Sequence, residues 1–174
     1  MQGIPLNERK RLGALLDDRP QTEVMAMIPQ FSQAETDNFV VPPAQIPEAL
    51  GVLMFNMERG VNLPEIQEFL RDCPDIQPFD VILANELDDG CARSGNKNTA
   101  RELAQAFGLN YAWGLEFIEL VNDENAKGFH GNAVFSRWPI RRAGVIRLPE
   151  QYNWYFDRQK RIGARVAIVC SLDI

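Results

Sequence analysis

The sequence predicts an α/β fold in which helices flank a sheet, and three observations predict it. Two apolar runs, Val52-Leu53-Met54-Phe55 and Val81-Ile82-Leu83-Ala84, each stop on polar residues, Asn56 and Asn85-Glu86. A continuous apolar run with a polar end reads as a strand buried on both faces. Between the runs, Ile66, Phe69 and Leu70 recur at helical spacing. Strand, helix, strand is a crossover unit, so the two strands should be parallel and in one sheet. Asn56 and Glu86 then share one sheet end, where α/β folds gather ligands. Beyond a second helix the pattern is meandering β, with no crossover helix between strands.

Residues 1–45 differ from the rest. A short helix is predicted over 6–16, with Leu12, Leu15 and Leu16 on one side. A second apolar patch, Val24 to Phe31, is interrupted by Pro29, and 34–38 is polar. Pro42, Pro43 and Pro47 mark an extended linker. This region is expected as an amino-terminal extension laid over a main domain of residues 46–174. The first domain helix opens at Asn62, a capping residue followed by Pro64 and Glu65, and stops at Pro74. The strand over 80–86 leads into a polar, Gly-containing loop over 88–96. Helix 97–107 carries Ala100, Leu103, Ala104 and Phe107 in one stripe, and Gly108 suits the left-handed position after its end. Further strands are expected over 111–121, 131–136, 143–148 and 162–172, the last with Val166, Ile168 and Cys170 on one face. Residues 122–129 read as a loop, and 149–160 as an aromatic loop.

With 174 residues, 45% hydrophobic and 24% charged, the chain is ordinary globular material for one domain. A net charge of -6 excludes a broad basic field for nucleic acid, though a local patch or a metal could supply positive charge. Cys73, Cys91 and Cys170 are odd in number and widely spaced, which predicts reduced thiols and no disulfide framework. Residues 1–8 hold no apolar leader region and no stretch is long enough to span a bilayer, so cytoplasmic is the default expectation. The single histidine, His130, excludes sites built on two histidines, and no Gly-x-Ser-x-Gly elbow accompanies it.

Asn56, Glu58 and Glu86 are the residues with chemistry at strand ends. A carboxylate beside a neutral amide suits a hard, oxygen-loving cation such as Mg²⁺, which keeps several waters and needs only one or two protein carboxylates. Such an ion polarises a phosphoryl oxygen and neutralises developing charge. Read otherwise, Glu86 is a surface carboxylate just past a core strand, and Asn56 caps a turn.

Four segments carry a resemblance to a known family. Val52-Leu53-Met54-Phe55-Asn56-Met57-Glu58-Arg59-Gly60 resembles the first motif of the endonuclease/exonuclease/phosphatase superfamily, the DNase I-like fold. Asp80-Val81-Ile82-Leu83-Ala84-Asn85-Glu86 is similar to its second motif, with Asn85 where the family more often has Gln before the metal-binding Glu. Residues 98–111 resemble the helix and strand that follow. Gly128 to Ile140 is similar to the family's Gly-Asn-Ala-hydrophobic-hydrophobic-Ser-Arg-x-Pro segment. Order and spacing agree over residues 46–172, and residues 1–45 have no counterpart.

The resemblance implies the amino-terminal half of a four-layer α/β/β/α sandwich and a Mg²⁺- or Mn²⁺-dependent phosphoric ester hydrolase of nuclease or phosphatase type. It implies that Glu86 binds the metal, with Glu58 an acidic residue near it, and that Asn56 orients phosphate within the active-site network. Arg161 or Arg165 would touch substrate phosphate. Asn132 and His130 are further candidates at the substrate, His130 being otherwise a loop or packing residue. The implied substrate is a phosphate ester, and nucleic acids are among the superfamily's substrates. Family members continue into a catalytic His or Tyr, a Gly-Asp-x-Asn segment and a Ser-Asp-His segment, whose Asp–His pair activates water. None of these is found within residues 1–174. The chain is therefore expected to be a truncated domain, inactive alone, with an apolar face left for a missing carboxy-terminal half or a second copy to cover. The competing expectation is a non-catalytic binding or assembly module that uses the aromatic loop around Trp154, Tyr155 and Phe156.

Overall fold

Three elements come from the first 45 residues of the chain: α1 (Leu6–Ala14), α2 (Gln21–Ala26) and the strand β1 (Ala34–Asp37). The computed structural model describes residues 1–150, 152–156 and 159–174. Ile4, Leu12, Leu16, Val24, Ile28 and Phe31 bury their side chains in one hydrophobic cluster with the main sheet. Arg9, itself buried, reaches from α1 to donate to the carbonyls of Lys127 (2.8 Å) and Asn125 (2.6 Å). The segment read as merely polar is a sheet edge: β1 needs no apolar alternation, because Glu35 accepts hydrogen bonds from the Tyr111 hydroxyl (2.7 Å) and the Asn98 amide (3.0 Å).

The crossover follows as expected, with β2 (Val52–Arg59), α3 (Leu63–Asp72) and β3 (Val81–Asp89) in sequence and the two strands parallel neighbours. Asn62 stands at the start of α3 but its side chain makes no capping bond; Pro64 sits in the first turn. Next come α4 (Thr99–Phe107), β4 (Asn110–Glu119) and β5 (Phe129–Ser136). Here the cap is made: the Asn98 side chain accepts from the Arg101 N–H at 2.9 Å, and Gly108 takes the left-handed position. Asn98→Ala should cost about 1 kcal/mol, read as a lower urea midpoint. The main sheet runs β1-β4-β5-β3-β2, and every pair except β2–β3 is antiparallel.

One face of this sheet packs on the helices. Ile82, Ala84, Tyr111, Trp113, Ala133 and Phe135 meet Leu70, Ala100, Leu103 and Ala104 there, and Phe55 stacks on Phe69 with centroids 5.7 Å apart. On the other face lies a small second sheet, the antiparallel pair β6 (Ile140–Arg147) and β8 (Val166–Leu172), packed over β4 and β5. The contact is close enough to require Gly114, where a Cβ would lie 2.7 Å from Val145 Cγ1. Gly114→Ala should force the two sheets apart and cost about 1–3 kcal/mol by overpacking, measured by equilibrium unfolding.

The final strand expected over 162–172 is two strands. β7 (Arg161–Gly163) pairs with β4 in the main sheet, and the chain then bends at Ala164-Arg165 to enter the second sheet as β8. Gly163, at φ +141°, lets the backbone pass so near the Glu116 carbonyl that a side chain would collide with it. The sequence hides this switch, because the apolar residues of buried β7 run on into those of partly buried β8. In the aromatic segment, Trp154–Phe156 form one short 3₁₀ turn, while Gln151, Asp157 and Arg158 lie outside the described residues. The inner face expected to lie open is thus partly covered by β6 and β8. Cover stops short of β2, where Val52 and Met54 are 58% and 71% exposed. No helix among the described residues is long and apolar enough to cross a membrane.

Candidate functional site

The register of β2 and β3 carries the site. It runs unbroken from Val52↔Val81 to Asn56↔Asn85 and then shifts, with Arg59 opposite Leu87. A second shift separates β3 from β5: Ala84 pairs Ala133 and Leu87 pairs Gly131. Two residues, Asn85 and Glu86, therefore stand opposite the single residue Asn132, which defines a β-bulge. Ala84 and Leu87 both bury in the helix-side core, so the extra residue turns Asn85 and Glu86 out toward the opposite side.

The bulges are strained. Glu58, Arg59 and Glu86 have φ of +45°, +68° and +59°, a left-handed backbone that costs a residue with a side chain about 1–2 kcal/mol. Local hydrogen bonds offset part of this. Asn56 Oδ1 accepts the Glu58 N–H at 2.8 Å, and Asn132 Oδ1 accepts the Glu86 N–H at 3.1 Å. Asn132 Nδ2 then donates to the Val166 carbonyl of β8 at 3.2 Å. Strain concentrated at the end of two parallel strands is typical of a functional site.

Asn56, Asn85, Glu86 and Asn132 thus form one rim, with Glu58 joined to it through its N–H. Asn56, Asn85 and Glu58 are exposed, and Glu86 and Asn132 are half-buried. The Glu86 carboxylate has no ion-pair partner among the described residues, where Asp80, Asp88, Asp89, Glu116 and Glu119 each have one. One unpaired carboxylate amid amide oxygens fits a hard divalent ion that retains its own waters. Among the described residues, no three His, Cys, Asp or Glu cluster as a complete metal cage.

Beside the rim lies a buried ionic network. His130 is on β5, not in a loop, two residues from Asn132 and in register with Asp88. Its Nδ1–H donates to Asp88 Oδ1 at 2.8 Å, and its Nε2 is 3.9 Å from Glu116 Oε2. Arg93 grips Asp88 through two bonds of 2.7 and 2.9 Å and also reaches Glu119 at 3.1 Å. Arg161 is buried, with its Nε 2.9 Å from Glu119, whereas Arg165 is half exposed and holds Glu116 at 3.1 Å. Burial pushes the Asp88 carboxyl up, but its bonds to Arg93 and His130 outweigh this and hold it below its ordinary value. His130 and Arg161 therefore join this network rather than the rim. An apolar cleft of about 290 Å³, lined in part by Met25, Ile28, Phe31 and Arg147, shares no residue with either. Arg147 is half-buried there, and the loss of solvent lowers its pKa to about 10.

No family model and no curated protein matches this chain. A solved structure does: the crystal structure of endonuclease/exonuclease/phosphatase from Beutenbergia cavernae DSM 12333, with a TM-score of 0.50 and 20% sequence identity, over 71% of this chain and 34% of that one. The fold is of the endonuclease/exonuclease/phosphatase type. At that identity the likeness concerns the fold, and this chain spans about a third of that structure's length. The mixed sheet with helices on one face and a second sheet on the other belongs to this layered architecture.

Asp88, Arg93, Glu116 and Glu119 escaped the sequence reading, and Asn85 was met there only as a strand end and a motif position. Asp88 had a signal, since it alternates with Glu86 along a strand that turns polar. Arg93 lies in an irregular loop and Glu116 within an apolar strand, and neither position has a periodicity to reveal it.

Proposed function

We propose that this chain carries the metal-binding face of a phosphoesterase, a hydrolase of phosphate esters with nuclease or phosphatase chemistry. The observation that carries the reading is the strained bulge that presents the unpaired Glu86 carboxylate beside Asn56 and Asn132. Glu86 would hold Mg²⁺ or Mn²⁺, with Glu58 close by. When bound, the metal supplies Lewis acidity to a phosphoryl oxygen. Asn56 has its oxygen committed to the Glu58 N–H, which leaves its amide donors for a substrate phosphate. Arg165, half exposed, is better suited than Arg161 to meet phosphate. The exposed Val52 and Met54 support additional polypeptide over this face, either further chain or a second copy, and the base that activates water would come from it. A net charge of -6 weighs against unspecific duplex binding. Exposed Tyr152 and Phe156 are what favours the second reading, a binding or assembly surface without catalysis.

The test is thermal unfolding with Mn²⁺ or Mg²⁺ titrated in, alongside hydrolysis of bis(p-nitrophenyl) phosphate. A saturable rise in Tm is expected, with hydrolysis only when the open face is covered. A Tm unmoved by either ion overturns the metal reading and leaves the binding surface.

A further inference from the structure

We propose that Asn132 is a positioning residue that aims the Glu86 carboxylate by tying the β3 bulge to the second sheet; the proposal rests on the metal reading of Glu86. In a bulge the extra residue loses its ladder partner, and a backbone N–H without an acceptor is costly. The Glu86 N–H donates to the Asn132 side chain, at 3.1 Å. The amide orientation is set by its two partners. A backbone N–H requires the oxygen and the Val166 carbonyl requires the NH₂, so only one orientation satisfies both.

Asn132 occupies the position where three strands meet. It faces the Asn85-Glu86 bulge on one side and pairs with Gly114 on the other, the residue on which the second sheet closes. Val166, its third contact, is the first residue of β8 and follows the bend that carries Arg165. A displacement of β8 is therefore felt at the Glu86 backbone through one side chain, and the sheet–sheet seam becomes part of the metal site. Residues that orient a metal ligand without touching the metal commonly alter affinity by about 10- to 100-fold when removed.

The test combines Mn²⁺ affinity, read by the loss of the free-ion EPR signal, with amide hydrogen exchange on the full chain. Asn132→Leu keeps similar bulk and removes both bonds. It should weaken Mn²⁺ binding about 10- to 100-fold and speed exchange of the Glu86 amide at least about tenfold relative to neighbouring Leu83. Asn132→Asp keeps an acceptor and should keep the Glu86 amide protected. Val134→Ala, a buried truncation two residues along β5, removes no hydrogen bond to the bulge and should lower Tm while leaving Mn²⁺ affinity within about twofold. If Asn132→Leu does not fold, Asn132→Ser, too short to bridge both partners, takes its place with the same expectation. Unchanged Glu86 exchange in these variants, or a Mn²⁺ loss equal to that of Val134→Ala, overturns the proposal. A wild-type chain without Mn²⁺ affinity counts against the metal reading instead, and the exchange pattern alone then decides whether Asn132 holds the bulge.

Discussion

Glu86→Gln should abolish the Mn²⁺-dependent rise in Tm while leaving the metal-free protein as stable as the parent. The carboxylate has no ion-pair partner among the described residues, so the neutral isostere forfeits no salt bridge. It does forfeit the principal charge offered to the ion. Loss of the principal charged ligand should weaken binding by at least about 100-fold, the upper end of what changes behind a ligand produce. At Mn²⁺ one hundred times the parent's Kd, binding stabilises the fold by about 2.7 kcal/mol, which is about 5–10 °C for a domain of this size. A hundredfold weaker site leaves about 0.4 kcal/mol of that. Glu86→Gly separates strain from chemistry. At φ +59° glycine escapes a left-handed penalty of about 1–2 kcal/mol, against the entropy it adds to the unfolded chain. The metal-free Gly variant should therefore be at least as stable as the parent and equally blind to Mn²⁺. A protein that keeps a side chain where glycine would be more comfortable is trading stability for the group it presents. If Glu86→Gln kept the full Mn²⁺ response, Glu86 would not be the metal ligand.

Much of this arrangement was legible in the residues, for definite physical reasons. The apolar runs 52–55 and 81–84, with a helical period between them, dictate a parallel pair, and the pair brings Asn56 level with Asn85. Pattern could go no further than the register. A bulge changes which face a side chain takes without changing the order of apolar and polar residues, so the turning out of Glu86 had no periodic signature. The role of Asn132 was hidden likewise, because a bond from a side chain to the backbone 46 residues away leaves no local trace. β1 was missed since an edge strand held by Glu35 can be wholly polar, and the sheet switch at Gly163 was missed since two short apolar strands in series resemble one long one. The fold was thus written in hydrophobic spacing, while the site depends on irregularities in the backbone and on pairings distant in sequence.

Asp88→Asn should be the most destabilising of the conservative substitutions in this region, at about 3–5 kcal/mol, the range for breaking a buried ion pair by removing one partner. Asp88 is wholly buried and accepts from Arg93 twice, from His130, and from the Ser94 hydroxyl at 3.3 Å. Asparagine preserves the volume but turns an acceptor into a donor facing the Arg93 and His130 N–H groups, and only Glu119 remains to balance Arg93. Against a total stability of about 5–15 kcal/mol for a domain, that loss should appear as a large drop in urea midpoint at pH 7. The same residue predicts a pH dependence. Its carboxyl is held below the ordinary value in the folded protein, so between that lowered value and about 3.9, the ordinary aspartate pKa, the unfolded chain binds the proton and the folded one does not. Stability from this group is then complete above about pH 4 and is lost as pH falls toward the folded value. Urea midpoints measured from about pH 5 downward should fall more steeply in the parent than in Asp88→Asn, because every other carboxylate is common to both. Parallel curves, or a cost at pH 7 under about 1 kcal/mol, the scale of an exposed pair, would mean that Arg93 and His130 find other partners and that the network does not brace the strands bearing Glu86 and Asn132.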